Sequence, residues 1–162
     1  MGNPLAAFET CLERAASAAE IWLALQSLAA EVAGYKLFTV TTVDMENELA
    51  RRVHTSHPED YPVSGTKPIT RDSWFEIVHG RQEIFAANTI ADIAKVFPDH
   101  EKFWSMGLGS VVNLPVVIDG ELAATINMLH EEHHYTPERV RLIREQLSEP
   151  ARLACLQAAA WN

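Results

Sequence analysis

His130-Glu131-Glu132-His133-His134 sets two imidazoles four residues apart with a glutamate beside the first. On a helix this spacing puts both rings on one face, where they bind zinc while the glutamate activates water. Here the segment follows an apolar run of strand length and precedes Thr136-Pro137-Glu138, which reads as a helix start. It is therefore expected in a connecting loop, where the one-face geometry is lost, and no metal site is assigned. His54, Ser56 and His57, followed by Glu59 and Asp60, could bring an imidazole and a carboxylate together for general-base work, but no nucleophile with an oxyanion site accompanies them. Cys11 and Cys155 fall on apolar stripes, where a free thiol behaves as a small hydrophobe. Trp74, Phe85 and Trp104 could stack on a planar ligand. Asn113, Thr125 and Asn127 are polar groups inside otherwise apolar runs, the pattern of a pocket floor that orients a small molecule.

What must position them is the stretch from Gly109 to His130. Two apolar runs flank Ile118-Asp119-Gly120, and Asp-Gly between such runs signals a β-hairpin. A two-residue turn would pair Val117 with Leu122 and mix polar with apolar on both faces. A three-residue loop with Gly120 as a left-handed bulge pairs Val117 with Glu121 and sorts them. One face then holds Ser110, Val112, Leu114, Val116, Leu122, Ala124, Ile126 and Met128. The other holds Val111, Asn113, Pro115, Val117, Ala123, Thr125, Asn127 and Leu129. The sorted arrangement is the one expected, with helices on the first face and a pocket on the second.

Asn3-Pro4 starts a helix whose apolar stripe, Leu5 through Val32, ends at Gly34, so one long helix is expected over about 4–33. Lys36–Val43 and Leu49–Ser56 read as a second hairpin. Residues 57–70 carry three prolines and Gly65, a loop long enough to act as a lid. Asp72 or Thr70 caps a short helix that Gly80 ends; Glu83–Ala87 is a brief strand; Asn88 caps a helix that Pro98 stops. Short pieces of this kind roof a cavity better than they build a core. The last helix is expected over about 137–160, with a kink or break near Gln146 imposed by Pro150. The matching stripes of the two terminal helices favour a homodimer.

With 162 residues the expectation is one domain over 1–162. A net charge of -9, with 13 Lys and Arg against 22 acids in no basic run, argues against nucleic acid. Glutamates at 13, 20 and 31 interrupt the amino-terminal apolar region, so neither a signal peptide nor a membrane span fits, and a cytoplasmic location is expected.

The order of elements, together with Gly107–Val116, Asp119-Gly120-Glu121, Ala124–Met128 and Tyr135-Thr136-Pro137-Glu138, resembles the GAF domain family, across about Pro4 to Leu156. Ala124, where the family usually has glycine, and Pro150 depart from its pattern. The resemblance implies an α+β fold: an antiparallel sheet with the amino- and carboxy-terminal helices on one face and, on the other, a ligand pocket roofed by short helices and loops. It also implies binding of a small molecule and a signal passed through the terminal helices. With the chain ending at Asn162, that signal is expected to act through a partner or through dimerisation. The family's free methionine-(R)-sulfoxide reductases use pocket cysteines. Here both cysteines lie on terminal helices, and Val111, Asn127 and Leu129 stand where carboxylates are expected in that group. A bilin site and the cyclic-nucleotide phosphodiesterase signature are likewise not matched.

The first reading is a non-catalytic ligand-binding regulatory domain, with Asn113, Thr125 and Asn127 as floor, Trp74, Phe85 and Trp104 as walls, and Val111 and His54 beside them. The second is a small enzyme using His54 as base on a polar metabolite. The third is a protein-interaction module whose pocket is filled by its own side chains. No cofactor and no ligand identity is read from the sequence.

Overall fold

A computed structural model describes residues 3–161; Met1, Gly2 and Asn162, at the ends of the expected domain span, lie outside them. Asn3 accepts from the Leu5 and Ala6 amides and Pro4 occupies the first turn of α1, Pro4–Arg14. The expected single amino-terminal helix is in fact two. Ser17 caps α2, Ala18–Val32, by accepting from the Glu20 amide, while the Glu20 carboxylate reaches back to the Ala16 amide. This reciprocal Ser-x-x-Glu capping satisfies donors that a continuous helix would have paired internally, so the chain turns at Ala15–Ser17 while the apolar stripe carries on.

β1, Leu37–Asp44, and β2, Leu49–Thr55, form the first hairpin. Within the expected loop, Lys67–Pro68 makes a two-residue strand, β3, on the outer edge of β2, where proline needs no partner for a missing N–H. Asp72 caps α3, Ser73–Phe75, which runs on into a π-helical turn, Glu76–Gly80. β4 is Phe85–Ala87, α4 Ile90–Ala94 and α5 His100–Ser105. Thr89, not Asn88, caps α4. The Asn88 side chain is engaged instead with both backbone groups of Tyr135, accepting from its N–H at 3.0 Å and donating to its carbonyl at 2.8 Å.

β5, Ser110–Ile118, and β6, Glu121–His130, pair in an antiparallel sheet of order β3-β2-β1-β6-β5-β4. Their turn differs from the expected one. Asp119 and Gly120 both have positive φ, 54° and 81°, and Val117 pairs with Leu122 across a two-residue turn. The bulge lies one step further along, between Val116 and Val117, after which Val116 pairs with Ala124 and Asn113 with Asn127. The extra residue restores the sorted faces but moves each partner by two, so Asn113 faces Asn127 across the ladder rather than Thr125.

α6, Pro137–Ala159, is continuous through Pro150, which is buried; the expected break near Gln146 does not occur. Together α1, α2 and α6 cover one face. Phe8, Leu12, Ile21, Leu25, Leu28, Ile143, Leu147 and Ala151 pack with Phe38, Val40, Val112, Leu114, Val116, Ile126 and Met128 in the main core. Each fully buried leucine or isoleucine there contributes about 1.5–3 kcal/mol. A smaller apolar cluster lies on the second face: Leu37, Ala87, Ile93, Phe103, Leu108, Val111 and Leu129.

Candidate functional site

Register divides the second face into rows running across the strands. The first, Ala87, Val111, Leu129 and Leu37, is apolar and lies in the cluster with Ile93 and Phe103 of α4 and α5. The next is Phe85, Asn113, Asn127, Thr39 and Thr55, and the one after is Pro115, Thr125, Thr41 and Arg52. The polar groups therefore begin where the apolar cover of α4 and α5 stops.

The middle row is closed by a ladder of side-chain hydrogen bonds. Trp74 Nε1 donates to Asn113 Oδ1 at 2.9 Å, and Asn113 Nδ2 donates to Asn127 Oδ1 at 2.7 Å. Asn127 Nδ2 donates on to the hydroxyls of Thr39 and Thr41, at 3.1 and 3.3 Å. Asn113 and Thr39 are 4% exposed or less, so the bonds that Trp74 and Asn127 make to them meet a desolvated partner, while Asn127 and Thr41 are half-buried.

The roof is aromatic. Phe97 sets its ring edge-to-face against Trp74, Phe85 and Phe103, with centroids 6.1–6.4 Å apart. Tyr61, from the segment after β2, packs on Phe103 and donates its hydroxyl to Asp99 Oδ2 at 2.9 Å. Burial pushes the Tyr61 phenol up to about 12, so it remains a proton donor at neutral pH. Arg52 lies beneath, its Cζ 3.8 Å from the Tyr61 ring centroid and its Nη1 donating to the Pro62 carbonyl at 2.7 Å.

Of the residues singled out in the sequence, Asn113, Thr125, Asn127, Trp74, Phe85 and Val111 are brought to this one face. Trp104 is not with them. It is 56% exposed and borders a surface cleft with Gly107, Gly109, Glu131 and Glu132, because α5 directs Phe103 inward in its place. His54 lies on the opposite face. It pairs with Val40 of the main core, contacts Phe38 edge-on, and its Nε2 meets Gln26 Oε1 of α2 at 2.7 Å. Burial lowers its pKa, so the ring is neutral and tied to the helix layer. Cys11 and Cys155 are on α1 and α6, also away from the floor, and burial pushes the Cys155 thiol up to about 12.

His130 ends β6 and His134 follows it in a loop, their rings stacked 3.6 Å apart at 5°. His130 Nδ1 accepts from the Glu131 amide, and His134 Nε2 is 2.8 Å from the Ala33 carbonyl. These contacts fasten the loop to the end of α2 and do not reproduce the helical His-Glu-x-x-His arrangement. Among the described residues, no three His, Cys, Asp or Glu converge as metal ligands.

A family model described as GAF domain matches residues 10–151. The chain belongs to the GAF domain family. No curated protein matches it in sequence. Among solved structures it is similar to the GAF domain of a two-component sensor histidine kinase from Bacillus halodurans, with TM-score 0.72 and 11% identity, over 91% of this chain and 99% of that one. It is also similar to the GAF domain of an Acinetobacter phosphoenolpyruvate-protein phosphotransferase, with TM-score 0.68 and 12% identity, over 100% of this chain and 98% of that one. At such identities the likeness concerns the fold. In this GAF domain Phe97, Thr39, Thr41, Arg52 and Tyr61 join the site without having been singled out. The alternation in β1 carried a signal for Thr39 and Thr41, since residues two apart share a face. Phe97, just before Pro98 at the end of a short helix, carried none.

Proposed function

We propose that this GAF domain is a non-catalytic, cytoplasmic regulatory domain whose small-molecule ligand lies over Asn113 and Asn127. The carrying observation is the hydrogen bond from the Trp74 indole to Asn113. A buried amide is held there by a side chain from a short roof element rather than by the sheet's own backbone, so a ligand donor can take the place of the indole without unfolding the sheet. A non-catalytic role is supported by the chemistry of the floor, which offers amides, hydroxyls and a guanidinium, whereas His54 faces the helix layer and both cysteines lie in it. Domains of this fold in a sensor histidine kinase and a phosphotransferase give the regulatory setting. No helix among the described residues is long and apolar enough to cross a membrane.

The output in this reading is a homodimer formed through the helix layer. Leu5, Leu23, Leu153, Leu156 and Trp161 are exposed on α1, α2 and the end of α6, and a cleft of about 650 Å³ lies along α1 and α2. The test is a metabolite screen by thermal shift, with mass spectrometry of what elutes from gently purified protein. Compounds that stabilise the wild type are expected to lose their effect in the double variant Asn113→Leu, Asn127→Leu. Equal shifts in both proteins would refute the site, and a sedimentation mass of one chain at all concentrations would refute the dimer.

A further inference from the structure

Arg52 is a cation on the proposed binding face that makes no ion pair with a carboxylate among the described residues. Among the described residues Arg71, Arg141 and Arg152 pair with glutamate, and of the arginines that make no ion pair Arg52 alone is not exposed, in a chain whose 22 acids outnumber 13 Lys and Arg. Arg52 is half-buried beside Thr41 and uses one N–H on the Pro62 carbonyl. A guanidinium has five donors, and removing it partly from water favours an anion at those that remain. Asp99, on the same tyrosine, takes the phenol hydroxyl. α5 adds a second cation there, with Lys102 Nζ 5.2 Å from the same ring centroid.

At the other end of the floor, displacement of the Trp74 indole exposes an acceptor, Asn113 Oδ1. Arg52 on β2 and Asn113 on β5 stand three strand spacings and one row apart, about 16 Å between backbones, which the two side chains shorten. Resting on the ligand-binding reading above, we infer that the ligand is a small organic anion. Its carboxylate or phosphate seats against Arg52, and several atoms away an O–H or N–H donor replaces the Trp74 indole on Asn113.

The probes are the ω-hydroxycarboxylates from 4-hydroxybutyrate to 6-hydroxyhexanoate, their primary amides, and hydroxyalkyl phosphates of matching length. They are titrated into the whole chain at constant ionic strength. The readouts are Tm and the indole N–H resonance of Trp74, assigned with Trp74→Phe. At least one anionic series is expected to raise Tm and move that resonance while the amides do neither; which series responds identifies the anion. Arg52→Gln, which keeps a donor for Pro62, is expected to weaken binding about tenfold or more. Arg52→Lys, which keeps the charge, should retain binding within a few-fold and guards against loss of the loop anchor as the cause.

If the amides bind as well as the anions, or Arg52→Gln binds undiminished, the anion inference is overturned and the floor reading stands. If no probe moves the Trp74 resonance, both are overturned.

Discussion

Replacing Asn127 with leucine tests whether the amide ladder is as continuous as the distances indicate. The change removes the acceptor of Asn113 Nδ2 at 2.7 Å and the donor shared by Thr39 and Thr41. Asn113 is 4% exposed, so water cannot serve its orphaned N–H, which costs about 1–3 kcal/mol. The threonine hydroxyls can rotate to other acceptors and add less. Asn113→Leu has a similar cost, because it strands Trp74 Nε1 and Asn127 Oδ1. Each single variant should therefore lose about 2–3 kcal/mol, a fall in Tm of about 4–12 °C for a chain of this size. In the double variant neither amide remains to be orphaned by the other, and their mutual bond is counted once. It should cost about 1–2 kcal/mol less than the sum of the singles. Denaturant unfolding of the four proteins gives the cycle. A coupling within about 0.5 kcal/mol of zero would show that the two amides do not depend on one another and would refute the ladder.

Two further outcomes follow from the surroundings of His54, His130 and Gly109. His54 and His130 both titrate below their ordinary value of 6.5, His54 through burial and His130 through burial and then the nearby His134, Lys36 and Arg139, against Glu131. The unfolded chain takes up their protons first, so stability is full above pH 6.5 and falls as pH drops below it. Tm measured down to pH 5.5 should fall more steeply in the wild type than in His54→Gln, His130→Gln, and equal slopes would contradict the assignment. A Cβ on Gly109 would sit 2.3 Å from Glu132 Cγ and 3.2 Å from its backbone nitrogen, while the Glu132 carboxylate accepts from the Ile90 amide at the start of α4. Gly109→Ala should cost about 1–3 kcal/mol and speed hydrogen exchange at Ile90; unchanged protection there would count against this coupling.

Local signals carried the architecture far. Asn3-Pro4, Thr136-Pro137 and Asp72 start the helices they were expected to start, because a cap is a contact within three residues. The two faces of the β5–β6 hairpin came out sorted because burial of Val112, Leu114, Ile126 and Met128 enforces a period of two. The turn itself was misread, since a bulge between Val116 and Val117 compensates for a shorter loop and no residue type announces it. Ser17-x-x-Glu20 was legible as a capping box but lay hidden inside an unbroken apolar stripe. Contacts between distant segments were not legible: His54 could be placed on a strand, but its face depended on the irregularity between Val40 and Thr41 and on Gln26 across the layer. For the same reason Trp104 and Phe103, neighbours on one short helix, could not be ranked as outer and inner.

The unequal cover of the two faces bears on how the fold could report an occupied floor. Three helices and an interlocked core hold the first face, whereas the second is covered by elements of three to six residues and their connections. Such short pieces open at lower cost than the core. They are nevertheless strapped to the helix layer through the loop after β6. Asn88 holds Tyr135 through two hydrogen bonds, its carbonyl accepts from His133, and Glu132 accepts from Ile90. The same loop reaches the end of α2, where Tyr135 Oη donates to the Gly34 carbonyl and His134 meets Ala33, and then starts α6 at Thr136. A shift of the roof at β4 and α4 therefore acts on a loop that touches both long helices of the opposite layer, without passing through the sheet. The surfaces with exposed Leu23, Leu153 and Trp161 belong to those helices and to the end of α6, so the strap joins the face proposed for a ligand to the layer proposed for a dimer.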